Sequence, residues 1–370
     1  MEAPDYFVAG IILLLYAIWL LMHAVLLFYR RKEASKNSAP PAISVIIPFR
    51  NEGKRLIKIC HQILHSHYAS RYELILVDDH SENNLSAELL QHYSHHSNFK
   101  LLRLAGEKYG KKAALESGHF QAAYPWIVHL DADVNLPEDW LINFGNTLAN
   151  KSPGLVAFPV FPDSSASLLN KFETLEFISI MTVTEAGFNM AYPTMANGAQ
   201  LAVHKDAFTA VEGYQNDALS SGDDLFLLHK IFAKKQFSCT FEFHPKLIVT
   251  FPSSNNLKAF FHQRLRWASK SKHYQNPVLL FSALIIGLAN LGFCYSFVKL
   301  CFSPDQHWLL LLIIKGMVDF VHLIPGAIRY KSLKILPFQL LLSLIYPLYA
   351  SIIIFASFVY RPEWKGRKIN

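Results

Sequence analysis

Trp126-Ile127-Val128-His129-Leu130-Asp131-Ala132-Asp133 reads as a buried strand that ends in two carboxylates. Five largely apolar residues with no polar alternation predict a strand covered on both faces, as in a parallel sheet. Open α/β sheets bind ligands beyond the carboxyl ends of their strands. Asp131 and Asp133 are therefore expected at that edge. Two carboxylates there suit a hard divalent cation, with phosphate oxygens filling its open positions. Asp-x-Asp also occurs in solvated turns, so the neighbouring segments decide its meaning.

Upstream, Ile43-Ser44-Val45-Ile46-Ile47-Pro48 predicts a strand stopped by proline. Asn51-Glu52-Gly53 follows, then a helix from Lys54 to about His65. Tyr72 to Val77 predicts a second strand, ending in Asp78-Asp79-His80-Ser81. A helix over 86–93, a strand over 99–104 and a helix over 111–123 lead to the strand before Asp131. This alternation predicts an α/β domain with a mostly parallel sheet and helices on both faces. Asn51, Glu52, Asp78, Asp79, Asp131 and Asp133 then collect at one edge.

Acidic side chains suit a nucleotide site when their tasks divide. One accepts hydrogen bonds from a base or ribose, and the later pair holds a metal that neutralises a diphosphate. Lys111, in Gly110-Lys111-Lys112-Ala113-Ala114-Leu115, adds a positive charge or simply starts a helix on the surface. Further on, 172–188 predicts a helix, and Asn197-Gly198-Ala199-Gln200 precedes a strand over 201–203. Ser220-Ser221-Gly222-Asp223-Asp224-Leu225 opens a helix to about Ala233. Asp223 suits a helix cap, and Asp224 suits a general base. In Gln263-Arg264-Leu265-Arg266-Trp267, Gln263, Arg266 and Trp267 lie within one helical turn. They read equally as a clamp on a sugar and diphosphate or as an interfacial Trp-Arg belt.

The apolar residues are unevenly spread. Phe7 to Phe28 is long enough to cross a membrane, as are 278–302, 308–328 and 335–360. The expected organisation is an anchor over 1–30, a linker over 31–42, a domain over 43–275, membrane helices over 276–360 and a basic tail over 361–370. Arg30, Arg31, Lys32 and Lys36 place the N-terminus outside and the domain in the cytoplasm, making this an integral inner- or plasma-membrane protein. The net charge of +7 is concentrated beside these runs and fits anionic headgroups. No basic-aromatic interleaving points to nucleic acid. The four cysteines lack metal-ligand spacing. Four spans would return the C-terminus outside, against the basic Arg361, Lys365, Arg367 and Lys368. The 308–328 run, with Lys315, Asp319 and His322, is therefore expected to lie at the interface with snorkelling charges, rather than to cross.

Taken in order, Ser44 to Glu52, Val77 to Ser81, Gly110 to Leu115, Leu130 to Asp133, Gly222 to Asp224 and Gln263 to Trp267 resemble the family 2 glycosyltransferases. These are inverting, membrane-anchored enzymes of GT-A fold. The resemblance covers about Ile43 to Tyr274. It implies a nucleotide-sugar donor, a UDP-sugar, bound through Pro48, Asn51, Glu52, Asp78, Asp79, Lys111, Asp131, Gln263, Arg266 and Trp267. It implies Mg²⁺ or Mn²⁺ on Asp131 and Asp133, and Asp224 as the catalytic base. Asn197, Gly198, Asp223 and Trp267 are implied on the acceptor side. Many relatives carry Glu-Asp where this chain has Asp223-Asp224. Trp364-Lys365-Gly366-Arg367 resembles a tail of ceramide glucosyltransferase-like enzymes.

One displacement at the anomeric carbon gives inversion. Few membrane spans favour a single transfer to a membrane lipid. The alternatives are a processive polysaccharide synthase, in which the Gln263 to Trp267 signature is prominent, and an inactive sugar-nucleotide-binding subunit of an export complex.

Overall fold

A computed structural model describes residues 5–29, 38–106, 108–164, 167–215, 222–274, 276–360, 363–364 and 367–368. The basic cluster 30–32 and 36, most of the 31–42 linker, Ser220-Ser221 and most of the 361–370 tail lie outside the described residues.

In chain order the elements are α1 (Asp5–Leu26), β1 (Ile43–Phe49), α2 (Lys54–Leu64), β2 (Tyr72–Asp78), α3 (Leu85–Tyr93), β3 (Phe99–Arg103), α4 (Lys111–Gln121) and β4 (Trp126–Leu130). There follow α5 (Trp140–Leu148), β5 (Gly154–Ala157), β6 (Val160–Pro162), α6 (Leu168–Asn189), β7 (Gln200–His204), α7 (Lys205–Ala210), α8 (Leu225–Ala233), β8 (Ser238–Phe241) and β9 (Val249–Phe251). The chain continues with α9 (Leu257–Ala268), α10 (Pro277–Phe302), α11 (Gln306–Arg329) and α12 (Phe338–Val359). A short antiparallel pairing of β10 (Glu363–Trp364) with β11 (Arg367–Lys368) follows. Two compact units result: 31–163 with 191–252, and 1–30 with 164–190 and 253–368. The expected 43–275 domain is thus divided, because 164–190 and 253–275 pack with the later helices.

The first unit holds a seven-stranded sheet of order β3-β2-β1-β4-β7-β5-β8. β1 pairs in parallel with β2 and β4, and β2 with β3. Strands β1 and β4 are buried along their whole length, which explains their unbroken Ile, Val and Leu content. On α2, Leu56, Ile59, Cys60, Ile63 and Leu64 recur at helical spacing and are buried in the main core. Each such fully buried aliphatic contributes roughly 1.5–3 kcal/mol. The strand predicted to stop at Pro48 runs on to Phe49. Pairing of β1 with β4 ends at Ile46, so the donor that Pro48 lacks falls where β2 is the one remaining neighbour. The sheet is not parallel throughout, since β7 runs antiparallel to both β4 and β5.

The second unit packs α1 against α10 and α11, α10 against α12, and α6 against α1 and α11. Gly326 lets α11 approach α6 closely: a Cβ there would meet Thr182 Oγ1 at 2.4 Å and Ile178 Cγ2 at 2.7 Å. Four described helices, α1, α10, α11 and α12, are long and apolar enough to cross a membrane. The snorkelling expected of the charges in 308–328 needs correction. α11 is one of these four, and its charges turn inward. Lys315 is 2% and Asp319 7% accessible. Lys315 Nζ donates to Asp319 Oδ2 (2.7 Å) and Asn290 Oδ1 (3.0 Å), and Tyr16 donates to Asp319 Oδ1 (2.6 Å). A buried ion pair with its remaining valences filled avoids the cost of an isolated charge.

Candidate active site

Because β1, β2 and β4 are parallel, their C-terminal ends share one edge. Antiparallel β7 begins at that edge, where Gln200 lies opposite Leu130 and Asp131 N–H donates to Ala199 C=O (3.1 Å). Segments distant in sequence therefore meet there: the turn after β4, the start of α4, the loop before β7 and the start of α8.

Lys111 is the hub. Its Nζ lies 2.8 Å from Asp131 Oδ1 and 2.8 Å from Asp223 Oδ2, and it donates to Gly198 C=O at 3.2 Å. Burial alone would push the ammonium pKa down. The carboxylates of Asp131, Asp223 and Asp224 outweigh that, and the net direction is upward. Lys111 thus stays charged, and the surface-charge reading of this residue is set aside. Burial pushes the Asp131 carboxyl up to about 6; Lys111 pulls it down, while Asp133 and Asp223 push it further up.

Asp224 accepts Gly198 N–H at Oδ2 (2.9 Å) and its own following Leu225 N–H at Oδ1 (2.7 Å). The capping expected of Asp223 is therefore done by Asp224 at the start of α8, while Asp223 faces Lys111. A carboxylate has about four acceptor sites, so capping leaves Asp224 able to accept a further proton or hydrogen bond. Gly198 is sandwiched in this cluster, its peptide bonded on one side to Asp224 and on the other to Lys111. Asn197 Oδ1 accepts Ala199 N–H (2.9 Å) and shapes the same turn.

The two preceding loops are laced together. Asn51, at φ 51°, donates its N–H to Ser81 Oγ, and its Oδ1 accepts Glu82 N–H. Asn tolerates this left-handed conformation. Glu52 C=O accepts from Asn83. Asp78 is 2% accessible, and its oxygens accept Ser81 N–H and Ser86 Oγ–H (both 2.8 Å), so it holds the loop together. Asp79 is 1% accessible; it accepts Gly110 N–H (3.0 Å) and contacts His80 (3.2 Å). Pro48 is buried inside β1.

A hard divalent cation fits the donor chemistry. Asp131 and exposed Asp133 offer hard carboxylate oxygens on either side of a buried Ala132, in a cluster where carboxylates outnumber the single ammonium. Among the described residues no three side chains of His, Cys, Asp or Glu form a complete metal site.

Gln263, Arg266 and Trp267 lie on α9, in the other unit. The buried arginine of that segment is Arg264, which sequence reasoning passed over. It is 3% accessible and bonds Glu176 through Nε (2.8 Å) and Nη2 (2.6 Å), and Glu173 through Nη1 (3.2 Å). It also bonds Gln263 and lies over the Phe260 and Trp267 rings at 4.3 and 4.7 Å. Trp267 in turn meets Phe177 edge-on. Glu173 and Glu176, one helical turn apart in an apolar stretch, were the signal. Also unforeseen is a fully interior pair beneath the sheet edge, His119 Nε2 to His129 Nε2 at 2.6 Å. Burial pushes His129 down to about 3 and His119 well below its usual value, so the pair is neutral.

Residues 44–196 match the profile described as Glycosyl transferase family 2, and residues 126–359 that of Glycosyl transferase family group 2. A poly-beta-1,6-N-acetyl-D-glucosamine synthase from Staphylococcus epidermidis is 24% identical over 237 residues, 63% of this chain and 55% of that protein. Glycosyltransferase AglE from Haloferax volcanii is 25% identical over 190 residues, 50% of this chain and 60% of that protein. The chain thus spans little more than half the length of these two relatives. The mannosyltransferase PcManGT from Pyrobaculum calidifontis, solved with GDP-Man and Mn²⁺, superposes with a TM-score of 0.61 at 16% identity. The alignment covers 92% of this chain and 99% of that one, so the fold is shared.

Proposed function

This chain belongs to the family 2 glycosyltransferases, and on that premise we propose that it transfers one sugar, with inversion, from a nucleotide-sugar to the hydroxyl of a membrane lipid. The observation that carries the reading is the Lys111 cluster, which draws Asp131, Asp223, Gly198 and Asp224 to one sheet edge.

The donor diphosphate lies across that edge, and its sugar faces Asp224. Lys111 exchanges a carboxylate for a phosphate oxygen as the donor enters. A Mg²⁺ or Mn²⁺ held by Asp131 and Asp133 supplies charge neutralisation for the diphosphate leaving group. PcManGT was solved with Mn²⁺ and GDP-Man, which supports the same classes of ion and donor here. Asp79 reaches the base by trading its Gly110 N–H for a ligand N–H, while the laced Asn51 and Glu52 turn shapes the nucleoside side. Asp224, fixed in orientation by Gly198 and Leu225, takes the proton of the attacking hydroxyl. The catalytic segment faces the cytoplasm, a reading supported by the basic residues that follow the first span.

The test is Asp224→Asn in the full chain, with donor binding by calorimetry and transfer by mass spectrometry of the lipid extract. Donor affinity should hold within about threefold while transfer falls by on the order of 10³-fold. Near-normal turnover would remove Asp224 from the mechanism. Processive polymer synthesis is the second reading, favoured by the S. epidermidis synthase. A ladder of products from radiolabelled donor would establish it.

A further inference from the structure

A cavity of about 80 Å³ lies inside the helical unit, lined by residues of α1, α6, α10, α11 and α12. At roughly 10–15 Å³ per enclosed water, it has room for a small polar group rather than a whole lipid. Its charged walls are acidic. Glu176 and Asp319 line it, and neither Lys nor Arg does.

The cations that bond these acids are already committed. Lys315 is held by Asp319 and Asn290, and Arg264 by Glu173 and Glu176. Arg264 answers two carboxylates with one charge, so that cluster keeps an excess of negative charge. Ser179 and His322 bond each other across the wall (3.0 Å). Two lining groups have no hydrogen-bonding partner among the described residues: the side-chain amide of Gln339, which is 7% accessible, and the Tyr346 hydroxyl. Polar groups enclosed in a membrane segment without a partner are costly, and a ligand that bonds them removes the cost.

We propose that this cavity receives an uncharged, hydroxyl-bearing lipid headgroup and rejects phosphorylated ones. The hydroxyls bond Gln339 and Tyr346, and the acyl chains lie along the apolar outer faces of the helices. A phosphate here would confront Glu176 and Asp319 with neither Lys nor Arg lining the cavity. This rests on the lipid-acceptor reading above and narrows it to a headgroup class.

The experiment is native mass spectrometry of the full chain in detergent with equal amounts of dioleoylglycerol and dioleoyl phosphatidic acid. The wild type should retain the neutral lipid by about tenfold over the acid, the order expected from two hydrogen bonds. Gln339→Leu and Tyr346→Phe should each reduce that retention several-fold, the second without loss of the ring. Gln339→Lys should raise phosphatidic acid retention. Equal or greater retention of phosphatidic acid by the wild type overturns the inference, as does unchanged neutral-lipid retention in both removal variants. Sugar transfer to a phosphorylated lipid would also sink it while sustaining the lipid-acceptor reading. Cavity-dependent retention of dioleoylglycerol, with labelled sugar appearing in polymer and none in lipid, would sustain the cavity assignment and sink that reading.

Discussion

Gly198→Ala tests the geometry of the cluster more sharply than removal of any charge. A Cβ at Gly198 would stand 2.8 Å from Asp223 Oδ2, 2.9 Å from Lys111 Nζ and 3.4 Å from Asp224 Cβ. Ordinary contact begins near 3.4 Å, so the first two atoms must each retreat by about 0.5 Å. They are also bonded to each other at 2.8 Å, and the peptide between them is tied to Lys111 and Asp224. One link must open. Breaking a fully buried ion pair costs about 3–5 kcal/mol. Here the Lys111 and Asp223 side chains are 20% and 10% accessible, and Asp131 retains its hold on Lys111. About 2 kcal/mol is the expected loss. Misplacement approaching 1 Å costs up to 10²-fold in rate, so transfer should fall by roughly 10–10²-fold. Chemical denaturation in detergent and initial rates of transfer measure the two effects. Gly292→Ala, where a Cβ meets nothing within 4 Å, is the control. Stability within about 0.5 kcal/mol and activity within about twofold of wild type would refute the sandwiched peptide.

Asp131 should make stability fall as pH rises. Its folded pKa of about 6 exceeds the ordinary 3.8, so the native state binds more protons between those values. The contribution is complete below about 4 and lost as pH rises through about 6. The full shift corresponds to roughly 3 kcal/mol, and solvent access to the 32% exposed side chain reduces it to about 1–2. Asp131→Asn should flatten this part of the denaturation profile, and an identical profile would contradict the assignment. Asp133→Ala should weaken Mn²⁺-dependent donor binding about tenfold or more, and EDTA should do the same to wild type; calorimetric isotherms unchanged by both would remove the cation from the mechanism. Lys315→Met should destabilise the helical unit by about 3–5 kcal/mol by stranding Asp319. Lys315→Met combined with Asp319→Leu should recover most of that loss in thermal scans, and no recovery would deny the pairing.

The sequence showed the strands and helices up to β4 well, because their apolar runs alternate regularly and the turns between them are short. β5, β6, β8 and β9 escaped notice. They are three or four residues long, too short for a periodic signal. The antiparallel run of β7 was invisible for another reason: 164–190 leaves the sheet unit before the chain returns, and no local pattern records that excursion. At the site, residue types and order were legible, and pairings were not. Asp223 and Asp224 are adjacent acids whose roles as Lys111 partner and helix cap depend on where α8 begins. Arg264 and Arg266 looked alike until α9 placed one of them against Glu173 and Glu176. In α11, a charge-bearing apolar run was read as interfacial because its partners Tyr16 and Asn290 sit on two other helices, far away in sequence.

Lys111 acts as a built-in counter-ion for the acids around it. Crowded carboxylates without such compensation would repel, and the sheet edge would come to depend on dissolved ions for its shape. With it, part of that repulsion is offset before any ion arrives. Chelation should therefore silence the enzyme while leaving it folded, unlike small domains whose metal is part of the fold. At the proposed cation site, an incoming ion would compete with this ammonium for Asp131.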